Sequence, residues 1–123
     1  MSGPSIHRWT EMNPDYPMQL LERRRVVGEK AMLCEIRLRA GCVVPNHSHP
    51  NEQFAFLISG NMKFGLGAEG SPEYREVALQ PGEVLHLPSN LPHSATAVVD
   101  SVVLDIFSPP SATTGIDIRP VSG

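Results

Sequence analysis

His47 and His49 stand one residue apart in the run Gly41-Cys-Val-Val-Pro-Asn-His47-Ser-His49-Pro-Asn-Glu52-Gln53. Successive side chains alternate along a strand, so histidines at this spacing present both imidazoles on one face. Carried past Pro50, the same parity puts Gln53 on the histidine face. A break in parity at Pro50 would bring Glu52 inward instead. His93 follows in Pro81-Gly82-Glu-Val-Leu-His-Leu-Pro88-Ser-Asn90-Leu-Pro92-His93. Three imidazoles and one amide or carboxylate oxygen suit a divalent transition metal such as Zn, Ni, Fe or Mn. With Gln as fourth donor, a divalent ion keeps its full charge. It then binds an anionic oxygen more tightly and lowers the pKa of bound water further. That favours Lewis-acid chemistry on a carboxylate over oxygen activation.

Val102-Val103-Leu104-Asp105-Ile106-Phe107-Ser108-Pro109-Pro110 places a carboxylate inside an apolar strand. Asp105 shares a face with Val103 and Phe107. A buried carboxylate must be paired, protonated or close to a metal. One reading pairs it with an arginine of a neighbouring strand, such as Arg37. The other makes Asp105 a proton-transfer group, because a carboxylate in a cavity with a shifted pKa suits that task.

These residues need strands to position them. Twelve prolines and ten glycines punctuate short segments in the 123-residue chain, and none has a helical period. That pattern reads as an all-β sandwich or barrel of a single domain. Met32, Cys34, Ile36 and Leu38 alternate with Glu35, Arg37 and Arg39. Further strands are expected near 43–49, 53–59, 61–66, 73–79, 84–88, 93–99 and 101–107. Residues 1–20 read as an arm with a short strand near 6–9 and an irregular Asn13-Pro-Asp-Tyr-Pro17. The barrel is expected over 21–110. Residues 111–123, rich in Ser, Thr and Gly, read as a loose tail.

The net charge of −3 carries no block of like charge. Arg23-Arg24-Arg25 lies between Glu22 and Glu29 and reads as a solvated strand end rather than a nucleic-acid contact. No apolar run reaches the length of a membrane span, and no signal-peptide layout opens the chain. These features point to a cytoplasmic protein with neither nucleic-acid nor membrane partners. Cys34 and Cys42 lack metal or redox spacing, and Cys34 reads as a small core residue. His86 lies on a different strand from His93 and is not expected among the ligands.

Together the motifs resemble the cupin superfamily. Gly41, His47, His49 and Gly60 fall on its first motif, with Gln53 at the position of the motif glutamate. Gly82, Pro88 and His93 fall on the second, with Asn90 in place of a glycine and Ala97 in place of the final asparagine. The resemblance extends from about Arg24 to Pro110 and implies a double-stranded β-helix, or jelly roll. The Asp-x-Phe-Ser-Pro-Pro ending is similar to that of the small KdgF-type cupins, which linearise 4,5-unsaturated uronates. In that group three histidines and a glutamine hold the metal. The resemblance carries these roles onto His47, His49, Gln53 and His93, and the family's Asp and Phe onto Asp105 and Phe107. Where the family has an arginine after Pro-Pro, this chain has Ser111. Arg119 could replace it if the tail folds back.

The resulting expectation is a metal-dependent isomerase or lyase-like enzyme acting on a small carboxylated sugar, and a homodimer by analogy with cupins of this size. The alternatives are a non-catalytic metabolite-binding module and an Fe(II)-dependent dioxygenase. The fold alone does not choose among them.

Overall fold

A computed structural model of the chain describes residues 3–117. A 3-10 turn at Trp9–Glu11 precedes ten strands: β1 Asp15–Met18, β2 Leu21–Val27, β3 Met32–Leu38, β4 Val43–His47, β5 Glu52–Ser59, β6 Met62–Leu66, β7 Arg75–Leu79, β8 Val84–Leu87, β9 His93–Ala97 and β10 Ser101–Ser108. They form two antiparallel sheets, one ordered β1-β2-β3-β10-β5-β8 and the other β4-β9-β6-β7. This is the jelly roll that the motifs imply. Among the described residues no helix is long and apolar enough to cross a membrane.

Alternation builds the interior. On β3 the side chains of Met32, Cys34, Ile36 and Leu38 are buried, as the pattern predicts. On β10 the buried set is Ser101, Val103, Asp105 and Phe107. β10 is central in its sheet and hydrogen-bonds to both β3 and β5. This places Asp105 opposite Cys34 on one side and Ala55 on the other. From the facing sheet, Val44, Met62, Phe64, Leu66 and Ala97 close the core.

Three expectations change. Residues 6–9 form no strand, while Asn13-Pro-Asp-Tyr-Pro17 contributes to β1, which pairs with β2. The prolines do not prevent this, because β1 is an edge strand with one unpaired side. Arg23 is no solvated strand end. It lies on the inner face of β2 and is only 2% exposed. Finally, the described part of the C-terminal segment is packed rather than loose. Residues 111–117 turn back over the barrel, with Thr114 and Ile116 buried.

Two glycines separate backbone strain from crowding. Gly41 and Gly60 both take positive φ, 88° and 97°. A Cβ on Gly41 would meet open space. A Cβ on Gly60 would overlap the Ser101 side chain and lie 2.5 Å from the Asp100 carbonyl oxygen. Gly41→Ala should therefore cost about 1 kcal/mol, from strain alone, and Gly60→Ala about 3 kcal/mol. Urea unfolding midpoints check the difference, and equal losses contradict it.

Candidate functional site

His47 is the last residue of β4 and His93 the first of β9, and they are register partners. His49 lies beyond β4, on the link to β5. Its ring centroid is 5.6 Å from that of His47 and 5.1 Å from that of His93. One ring nitrogen from each of the three lies within 4.8 Å of the others. β4 and β5 belong to opposite sheets, so the donors converge from both sides of the barrel. Gln53 faces inward because β5 has its own buried set of Gln53, Ala55 and Leu57. Glu52 points outward, 2.6 Å from His86 Nε2. The sequence left Glu52 and Gln53 as alternatives, and the fold places Gln53 on the histidine side.

The hydrogen bonds fix how each ring is protonated. His47 Nδ1 lies 2.8 Å from the Pro45 carbonyl oxygen, His49 Nδ1 3.0 Å from that of Asn51, and His93 Nδ1 2.8 Å from that of Leu91. A carbonyl can only accept, so each Nδ1 carries the proton and each neutral ring keeps a bare lone pair on Nε2. Burial lowers the pKa of His47, and it lowers that of His93 to about 4. Both rings therefore stay neutral and able to ligate at physiological pH.

Gln53 brings a fourth donor atom to the group. Its Nε2 donates to Asp105 Oδ1 at 3.1 Å, and this turns Oε1 toward His49 Nε2, also at 3.1 Å. An amide oxygen and an imidazole lone pair are both acceptors, and they face each other across that gap. A cation shared between them resolves the conflict. The three imidazoles and the amide oxygen thus fit a divalent transition ion, and each histidine has the outer hydrogen bond that orients a metal ligand.

Asp105 lies beside this group. Burial raises its pKa from 3.8 to about 7, and the Gln53 hydrogen bond opposes the rise. Arg37 is not its partner: that guanidinium bonds Glu35 on the outer face of the sheet. Phe107 is buried and sets its ring edge-on to His49 at a centroid distance of 5.6 Å. Cys34, across from Asp105, has its thiol pushed up to about 12 by burial and by the Asp105 charge, so it remains an unreactive thiol.

Leu21, Ile36, His47, Gln53, His93, Asp105, Thr114 and Ile116 are among the residues around a cavity of about 40 Å3. A much larger concavity, about 720 Å3, lies on the outer side of the six-stranded sheet between Trp9, Arg24, Glu35, Arg37 and Asp100. It contains none of the histidines, so size alone does not locate the chemistry.

Sequence reasoning missed the closure of the cavity. Gly115, at φ 76°, lies so close to the rings that a Cβ there would sit 2.6 Å from His47 Nε2 and 2.9 Å from His49 Cδ2. Arg23 holds this segment from below, donating to the Thr113 carbonyl oxygen, Thr114 Oγ1 and the Asp117 carboxylate. The available signal was the parity that places Arg23 on the inner side with Leu21. Ser111 takes no part in the histidine group; its Oγ accepts from the Thr114 N–H. Arg119 lies outside the described residues.

The family model described as Cupin domain matches residues 34–107. Among solved structures, KdgF from a Halomonas species is similar over 91% of this chain and 99% of its own, at 23% identity and a TM-score of 0.80. An RmlC-like cupin from Shewanella frigidimarina matches at 16% identity over 91% of this chain and 96% of its own, also at a TM-score of 0.80. A Bacillus subtilis oxalate decarboxylase matches 94% of this chain with 34% of its own, at 18% identity and a TM-score of 0.76. At these identities the likeness is one of fold. No curated protein matches the chain.

The opposite pKa shifts of His93 and Asp105 give a test in chelator-treated protein. His93 takes its proton near 6.5 when unfolded but only near 4 when folded, so this group destabilises the fold as pH falls through that window. Asp105 binds its proton more tightly when folded, so it destabilises the fold as pH rises from 3.8 toward 7. The two slopes oppose each other. Asp105→Asn should make stability rise more steeply between about pH 4 and 6.5 than in the parent protein, as urea unfolding would record. Parallel curves contradict the burial of an ionisable Asp105.

Proposed function

Because the chain belongs to the cupin family, whose domain model spans residues 34–107, we propose that it is a metal-dependent enzyme that opens and isomerises a small carboxylated sugar such as a 4,5-unsaturated uronate. One observation carries this reading: His47, His49 and His93 bring ring nitrogens within 4.8 Å of one another, and two of them, His47 and His93, share a cavity with a carboxylate whose pKa is raised to about 7. The resemblance of Asp105, Phe107 and the following Ser-Pro-Pro to the KdgF-type ending supports the choice of substrate.

His47, His49, His93 and Gln53 would hold the ion. When bound, it supplies positive charge that attracts a substrate carboxylate or ring oxygen and stabilises negative charge developing there. Gln53 serves two purposes. Its neutral Oε1 leaves the charge of the ion undiminished, and its Nε2 fixes Asp105 through Oδ1. Oδ2 is then the Asp105 atom that carries the proton. Near pH 7 both forms of the carboxyl are populated, so Oδ2 can take a proton from a hydroxyl and return one to carbon. With the hydroxyl proton on Asp105, opening the ring leaves an aldehyde and an enolate; the same proton delivered to the enolate carbon gives the ketone. No atom is gained or lost, so Asp105 ends in the state in which it began. Phe107 packs its ring against His49 on the same buried face of β10 as Asp105, and would limit the entry of water that would compete for the proton.

The test follows the ultraviolet absorbance of 4,5-unsaturated galacturonate, whose conjugated double bond is lost on linearisation. Metal-loaded protein should accelerate the loss, while chelated protein should not. Asp105→Asn should reduce turnover by about 10²- to 10⁴-fold with metal stoichiometry unchanged. Equal rates with loaded and stripped protein overturn the reading, and full activity in Asp105→Asn ends the role of the carboxylate.

A further inference from the structure

The cavity at the histidines measures about 40 Å3. A water molecule occupies roughly 30 Å3, and pockets for small-molecule ligands run to about 300–1,000 Å3. The described form therefore has room for an ion or a water but not for a sugar acid. Residues 111–117 are what close it: Thr114 and Ile116 line the cavity, and Gly115 lies against His47 and His49.

A single cation fastens this strap. Arg23 is 2% exposed. Its Nη1 lies 2.5 Å from Asp117 Oδ1 and its Nη2 3.3 Å from Oδ2, while Nε and Nη2 engage the Asp15 carboxylate at 3.1 and 2.6 Å. Arg25 adds a second cation, 3.5 Å from Asp15, and donates to the Ala112 carbonyl oxygen. Two guanidinium groups thus face two carboxylates, and the closed network is neutral. Withdrawing the strap removes Asp117 and leaves one positive charge in excess. Thr114, which separates the Arg23 guanidinium from the cavity, would leave with it. The opened mouth would then hold a guanidinium with a vacated two-point carboxylate site, next to the cavity that Thr114 lines.

We propose that Arg23 recognises the substrate carboxylate, and that the strap of residues 111–117 closes the barrel by placing its own carboxylate, Asp117, on Arg23 until substrate takes that position. The proposal rests on the reading of the site as one for a carboxylated substrate. It also supplies the carboxylate-binding cation that Ser111 does not. Substrate affinity then depends on the fraction of molecules with the strap open, because Asp117 competes for the same donors.

Amide hydrogen exchange of the full chain tests this without any substrate. Asp117→Asn should speed exchange in the peptide covering residues 113–117 by at least about fivefold, with β10 unchanged. In the parent protein, sodium acetate should speed the same peptide relative to sodium chloride at equal ionic strength, since acetate competes with Asp117 for Arg23. In Arg23→Gln the strap should exchange quickly and ignore acetate. If that variant does not fold, the Asp117→Asn and acetate arms decide alone. A strap unmoved by Asp117→Asn overturns the latch, and one freed by that change but indifferent to acetate overturns the exchange of carboxylates. Strap opening without turnover of unsaturated galacturonate rejects the uronate reading and leaves the gate standing. Turnover with an unresponsive strap does the reverse.

Discussion

Each of the three imidazoles gives its Nδ1 proton to a backbone carbonyl, and the rest of the site depends on that constraint. It leaves one ring nitrogen of each free to ligate, the three within 4.8 Å of one another, and burial lowers the pKa of His47 and His93. Like acceptors brought this close repel one another unless a positive charge stands among them. The fold bears this by distributing the donors over rigid elements: His47 and His93 across a strand pair, His49 on a link held by the Asn90 N–H to the His49 carbonyl oxygen, and Gln53 in the opposite sheet. Convergence is therefore tertiary, and no short peptide could reproduce it.

The barrel interior treats its two buried kinds of charge differently. Asp105 has an amide for a partner and, among the described residues, no cation, so burial shifts it toward its neutral form. Arg23 cannot lose its proton and is instead surrounded by acceptors: two carboxylates, a carbonyl and a hydroxyl. One solution gives a group able to exchange a proton, the other a fixed positive charge. A site for an anionic substrate that must be protonated at carbon needs one of each.

Much of this was legible in the sequence. The alternation on β3 and β10 gave the buried faces directly, and His47, His49 and His93 were identifiable from spacing. Asn90, at φ 65°, takes the left-handed conformation for which the motif uses glycine, and asparagine is the residue that best tolerates it. Gln53 was placed inward by parity continued along one strand. In the fold its direction is set independently by β5, after the chain has crossed between sheets. Arg23 was misread because a basic run gives no hint of carboxylates arriving from residues 15 and 117. The same holds for the strap: Gly115 looks like a loop residue until the histidines beneath it show why no side chain fits.

Histidine side-chain nitrogen spectra of chelated protein, followed during titration with zinc, test the central claim most directly. His47, His49 and His93 should all begin as the Nδ1–H form, and about one equivalent of zinc per chain should shift their three Nε2 signals together. An Nε2–H form in the chelated protein, or Nε2 signals that zinc leaves in place, would contradict it.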